Sequence, residues 1–223
     1  MAFLTQKKAT AHTPQVVTLI VDDSGSMDGV KAKQATAALQ DLVIAMQSGN
    51  LGSSEFRFLL NITKFGDEAN SLAVAATPKE VTLDMLNFVA DSGTTDMPKA
   101  LEWAKHSLEQ ALARCRQNPK FKEDESPNPL VVFFSDGENT GGDVEGPAQA
   151  LKAIAFQGGN VDVVACGIGM DPASFPVMQK IASRPELAVN IDPEHLAEFI
   201  ADVGATVQKG EQPKKIVQNA VKA

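Results

Sequence analysis

The 223-residue sequence predicts an α/β fold: a doubly wound, mostly parallel sheet with one antiparallel edge strand and helices on both faces. Three observations carry that expectation. Short unbroken apolar runs, the pattern of strands buried on both sides, alternate with longer segments whose apolar residues recur every three or four positions. One pair of runs is separated only by a tight polar turn at Asp67-Glu68, which joins antiparallel strands but is too short for a parallel crossover. Clusters of Asp, Ser, Thr and Gly then follow several of the runs, where an open parallel sheet places its ligands.

Taken in order, Met1 to His12 carries Lys7 and Lys8 without the apolar run of a secretory signal. Residues 1–14 are expected to form an extension before a domain over 15–208, with a polar tail at 209–223. Val16 to Val21 reads as the first central strand and Lys31 to Gln47 as the helix after it. Phe56 to Phe65 and Ser71 to Ala76 read as the edge hairpin. The next helix, Pro98 to Gln117, has the clearest stripe: Leu101, Ala104, Leu108, Leu112 and Cys115 share one face. Trp103, the only tryptophan in a chain without tyrosine, falls on the other side with Ser107, Gln110 and Arg114. The Asn118 to Asn128 loop is expected to be a solvated insertion that covers the indole. Leu130 to Phe134 and Val161 to Ile168 complete the central strands, with helices at Gly146 to Gln157, Ala173 to Ser183 and Pro193 to Val207. Ile216 to Ala223 reads as a short last helix or a frayed end.

Composition narrows the function classes. Twenty basic against 28 acidic residues leave a net charge of -8, a field that does not gather phosphate backbones or anionic lipid, so nucleic acid and membrane are poor partners. No apolar run approaches the roughly 18 residues of a membrane span. Cys115 and Cys166 stand far apart with no C-x-x-C spacing, which argues against a disulfide framework or zinc knuckle and for two small buried hydrophobes. A cytoplasmic location is expected. His12, His106 and His195 are scattered without metal or triad spacing and read as solvent-exposed polar residues.

The chemistry concentrates in Asp22-Asp23-Ser24-Gly25-Ser26, Ser92-Gly93-Thr94-Thr95-Asp96 and Ser135-Asp136-Gly137-Glu138. Alternate residues of a turning backbone put Asp22, Ser24 and Ser26 on one side. Hydroxyls plus carboxylates make an all-oxygen donor set, which suits a hard divalent cation such as Mg²⁺. Zinc and copper prefer imidazole or thiolate.

These residues resemble the metal-ion-dependent adhesion site of von Willebrand factor A domains, built from a D-x-S-x-S turn, a separate threonine and a separate aspartate. The matching positions are Asp22, Ser24, Ser26, Thr95 and Asp136. Thr95 is chosen over Thr94 because Thr95-Asp96 before Ala100-Leu101 resembles the family threonine entering its helix. Thr63 to Asp67 and Ala165 to Gly169 are similar to the family as well, over about Gln15 to Val207. The resemblance implies that Ser24, Ser26 and Thr95 ligate Mg²⁺ or Mn²⁺ directly, with Asp22 and Asp136 acting through water. It also implies a partner protein whose Asp or Glu completes the coordination, and a binding role with no enzymatic activity. Bacterial single-domain members act as adaptors beside kinase and phosphatase proteins or ring-forming ATPases.

Other chemistries fit these residues less well. A haloacid-dehalogenase type phosphotransferase using Asp22 resembles D-x-D, whose second carboxylate is the general acid. Ser24 stands in that place, with Asp23 beside it as the remaining acid. An EF-hand over Asp136 to Pro147 ends on proline where a bidentate glutamate is required. No G-x-x-x-x-G-K-[ST] loop occurs, and Gly167-Ile168-Gly169 lacks a third glycine because Pro172 occupies its place.

Overall fold

The computed structural model describes residues 7–49 and 57–220. Its centre is a six-stranded sheet in the order β3-β2-β1-β4-β5-β6. The strands are β1 (Gln15–Asp22), β2 (Phe58–Phe65), β3 (Ala69–Ala76), β4 (Leu130–Ser135), β5 (Asp162–Ile168) and β6 (Ala188–Ile191). All neighbours are parallel except β2 and β3. The edge hairpin is therefore where the sequence puts it, although Phe56 lies outside the described residues.

β1 and β4 are fully buried along their length, which is why they read as unbroken apolar runs instead of alternating ones. Successive side chains still leave opposite faces. Phe133 meets Phe65 with ring centroids 5.2 Å apart, and Phe134 meets Phe199 edge-on at 5.9 Å. Truncating either β4 ring to alanine is expected to cost about 3–5 kcal/mol.

The helices are α1 (Val30–Gly49), α2 (Met97–Arg116), α3 (Glu145–Lys152), α4 (Pro176–Ile181), α5 (Leu196–Lys209) and α6 (Lys214–Ala220). α1 packs beside α5, and α5 beside α6, while α2 packs on β1–β3 and on α3. The chain steps from β1 to β2 in one direction and from β3 through β4 to β6 in the other. Crossovers of one hand then put α1 and α2 on opposite faces, and the reversal beside β1 leaves a crevice at the carboxyl ends of β1 and β4.

Several expectations need correction. β6 was not anticipated; its four residues are too few to show a period, and its pairing with β5 supplies the strand. α3 ends at Lys152 instead of Gln157, since Phe156 bridges back to Gly159 in a tight turn. α4 begins only at Pro176, which sits in its first turn where a missing N–H is harmless. The five stripe residues of α2 are buried as expected, but Ser107 is buried too. Trp103 is 41% exposed, its ring edge-on to exposed His106. Thirteen residues separate Trp103 from the helix end at Arg116, about 20 Å of rise, and the following loop does not fold back along the helix but is tied to Arg116, His12 and Lys7.

That loop is also better anchored than an insertion held only by water. Arg116 grips Glu123 through Nε at 2.9 Å and a second guanidinium nitrogen at 2.6 Å. Ser126 is fully buried, and Lys122 N donates to His12 O at 2.8 Å. Lys7 Nζ reaches the carbonyls of Asp124 and Gly158, both at 2.6 Å. Both cysteines are free and buried. Among the described residues no helix is long and apolar enough to cross a membrane.

Candidate metal centre

The first polar cluster is the carboxyl end of β1. Asp22 is its last residue and is wholly buried. A short 3-10 turn follows at Gly25–Met27, fastened by the buried Met27 side chain, so Ser24 and Ser26 stay on the crevice side. Asp22 Oδ1 accepts from Ser24 N at 2.8 Å, and Oδ2 accepts from the Ser135 hydroxyl. Burial nevertheless pushes its carboxyl up to about 6, against those hydrogen bonds, with Asp136 adding a like charge nearby.

The Ser24 and Ser26 hydroxyls lie 3.1 Å apart in a hydrogen bond, and Ser26 Oγ donates to Asp136 Oδ1 at 2.7 Å. Asp136 follows directly on β4, and its side chain is enclosed. Thr95, just before α2, is buried, and its carbonyl accepts from Thr140 N at 2.9 Å, tying it to the loop after β4. A Cβ placed on Gly137 would sit 3.0 Å from Thr95 Oγ1 and 3.3 Å from Ser26 Oγ. The two hydroxyls thus border one small space that any side chain at position 137 would enter. All five residues picked from the sequence, Asp22, Ser24, Ser26, Thr95 and Asp136, surround this crevice.

Thr94 faces elsewhere. Its hydroxyl and its N–H both donate to Asp67 Oδ1, the latter at 2.8 Å, and they hold that carboxyl below the usual carboxylate range. Gly93 allows this closeness. It has φ +81°, and a Cβ there would lie 2.1 Å from the Asp67 carboxylate.

Asp23, adjacent to the first candidate ligand, is fully committed to holding loops together. Its Oδ1 accepts from Val89 N at 3.0 Å and Ala90 N at 2.9 Å; its Oδ2 accepts from Lys64 Nζ at 2.9 Å and Ser92 Oγ at 2.8 Å. Those four bonds occupy the lone pairs of a buried carboxylate, and Gly25 N to Gly93 O at 3.0 Å adds a backbone tie between the same loops.

Sequence reasoning missed Lys31. Its ammonium forms an ion pair with Asp136 Oδ2 and donates to Ser26 O at 3.2 Å. The signal was a lysine in the first turn of α1, at the helix end where a cation is disfavoured. It also treated His195 as an isolated exposed residue. Instead His195 is half-buried, and its ring lies with the carboxylates of Asp192 and Glu194 within 4.8 Å of one another.

The von Willebrand factor type A domain model matches residues 17–202. The chain belongs to the von Willebrand factor type A family. Solved structures agree at the level of fold. Proximal thread matrix protein 1 of the mussel byssus, with a zinc-occupied MIDAS motif, has a TM-score of 0.63 at 16% identity, over 92% of this chain and 49% of that one. The pilus adhesin SpaC of Lactobacillus rhamnosus GG gives 0.64 at 14%, over 96% and 32%. The von Willebrand factor type A protein of Catenulispora acidiphila gives 0.56 at 18%, over 88% and 43%. This type A chain spans about half the length of the mussel protein. No curated protein matches it.

The donor set of the type A crevice fits a divalent cation: three hydroxyls and two carboxylates, with no thiolate and no imidazole, around a space kept free by a glycine.

Proposed function

We propose that this chain is a protein-binding module, an adaptor or assembly component without enzymatic activity, that docks an acidic residue of its partner through a divalent cation. The observation that carries the reading is the meeting of the Thr95 and Ser26 hydroxyls on the one point beside Gly137. Ser24, Ser26 and Thr95 would hold the cation directly, and Asp22 and Asp136 through water. A cation bound there supplies an electropositive centre to which an external Asp or Glu carboxylate coordinates. Mg²⁺ or Mn²⁺ suits an oxygen-only set better than zinc, notwithstanding the zinc in the mussel protein's motif.

The chain's own residues do the rest. Asp23 fixes the spacing of the first two loops, and Ser135 holds Asp22 in place. A phosphotransferase working through Asp22 would lack a general acid, because Ser24 stands in its position and Asp23 has no lone pair left. The partner is proposed to be a cytoplasmic kinase or phosphatase protein or a ring-forming ATPase, and the two free, buried cysteines suit a reducing compartment.

Calorimetry with Mn²⁺, Mg²⁺ and Zn²⁺, followed by co-purification in Mg²⁺ and in EDTA, tests this. Mn²⁺ and Mg²⁺ should bind at one site, and a partner should be retained only without chelator. Retention unchanged by EDTA would overturn the metal-bridged reading, as would steady turnover of an aryl phosphate.

A further inference from the structure

Among the described residues, Lys31 is a charged group on the candidate metal centre that the ligand pattern does not account for. It is the second residue of α1, where the positive end of the helix dipole disfavours an ammonium. Its stem turns back over the crevice instead of out to water, leaving the side chain 27% exposed. There the ammonium touches Asp136 Oδ2 and Ser26 O, while Ser26 Oγ takes the other Asp136 oxygen. Both oxygens of Asp136 are therefore engaged, one by a candidate ligand and one by a fixed cation.

Charge bookkeeping gives this contact a consequence. The neighbouring Asp23 and Lys64 cancel each other at 2.9 Å. The candidate donors carry two negative charges, from Asp22 and Asp136, which a divalent cation alone would neutralise. Lys31 changes the sum: with the cation bound, the centre carries one surplus positive charge in an enclosed setting, where charges interact more strongly than in water. A centre of that charge binds the cation alone less tightly and attracts an external carboxylate more strongly. Because coupling between two ligands is reciprocal, the carboxylate in turn tightens the cation.

We propose that Lys31 makes the cation and an external monocarboxylate bind together, acting as a fixed charge that weakens the cation's hold alone and leaves the loaded centre short of one anion. The proposal rests on the reading of the crevice as a metal centre and adds to it the residue that sets its demand for an acidic partner.

The test uses the full chain, Mn²⁺ as metal and acetate as carboxylate, read by electron paramagnetic resonance and calorimetry on wild type, Lys31→Met and Lys31→Arg. Lys31→Met keeps the stem and removes the charge. It should bind Mn²⁺ alone about tenfold more tightly than wild type and lose most of the gain in Mn²⁺ affinity that acetate gives the wild type. Lys31→Arg should keep that gain. Wild-type binding of Mn²⁺ with Lys31→Met unchanged in affinity and coupling would overturn the role of Lys31 while leaving the metal centre standing, even if the variant lost thermal stability. No Mn²⁺ binding by wild type would overturn both.

Discussion

Thr94 and Thr95 are neighbours in the chain, yet their hydroxyls serve different loops: Thr94 donates to Asp67 on the β2–β3 turn, and Thr95 faces Ser26 across the space beside Gly137. Thr95→Ala should therefore abolish Mn²⁺ binding and metal-dependent partner retention as completely as EDTA does. Thr94→Ala should leave both in place and raise the Asp67 carboxyl toward its ordinary range. The two variants, titrated with Mn²⁺ and followed by NMR at Asp67, separate these outcomes, and the reverse result would exchange the roles of the two threonines.

Gly137→Ala places a methyl group 3.0 Å from Thr95 Oγ1 and 3.3 Å from Ser26 Oγ. Mn²⁺ affinity should fall more than tenfold, about 1.4 kcal/mol or more, while the melting temperature in EDTA shifts by only a few degrees. Unchanged Mn²⁺ affinity by calorimetry would mean that the cation does not use this space.

Asp22→Asn keeps an acceptor for Ser24 N and offers an amide donor to Ser135, and it removes a charge that burial disfavours. Urea unfolding in EDTA should show the variant as stable as wild type or more so, by about 1–2 kcal/mol, with Mn²⁺ binding lost. A large destabilisation in EDTA would show that the charge itself supports the fold.

The Arg116 guanidinium beside Glu123, helped by Gln157 N, holds the Glu123 carboxyl below its ordinary value. The folded state thus favours the ionised form. The contribution is fully present above the unfolded-state value and is lost as pH falls through the lower folded one. Glu123→Gln should destabilise by about 1 kcal/mol near neutrality, discounted because Arg116 is half in water. In strong acid the two proteins should converge. A gap between their unfolding curves that persists at low pH would place the effect in packing instead of charge.

Much of this architecture is legible in the sequence because burial on both faces leaves an unmistakable trace. β1, β4 and β5 are continuous apolar runs, and the α2 stripe follows from helical spacing alone. β6 is not legible, since Ala188–Ile191 becomes a strand only by pairing with β5. Asp22, Ser24 and Ser26 could be picked out because alternate positions after a strand face one way, whereas Thr95 and Asp136 follow only from the resemblance to the von Willebrand factor A adhesion site. Asp23 and Lys31 could not be assigned: a carboxylate beside a candidate ligand looks like another ligand, and only three-dimensional packing reveals that it staples Val89, Ala90, Ser92 and Lys64. Trp103 misled because the loop expected to cover it is instead anchored at the far end of the helix, on Arg116, His12 and Lys7.

The strand order has a bearing on how the molecule is made. β1 lies between β2, some forty residues later, and β4, more than a hundred residues later. Asp22 meets Ser135, and Ser26 meets Asp136, both across the longer of those separations. On the ribosome, the first half of the crevice therefore waits for β4 to emerge, since contacts this distant close late. On the proposed function, cation capture would begin only once the central sheet has formed, which would place any metal-dependent binding after folding and not during it.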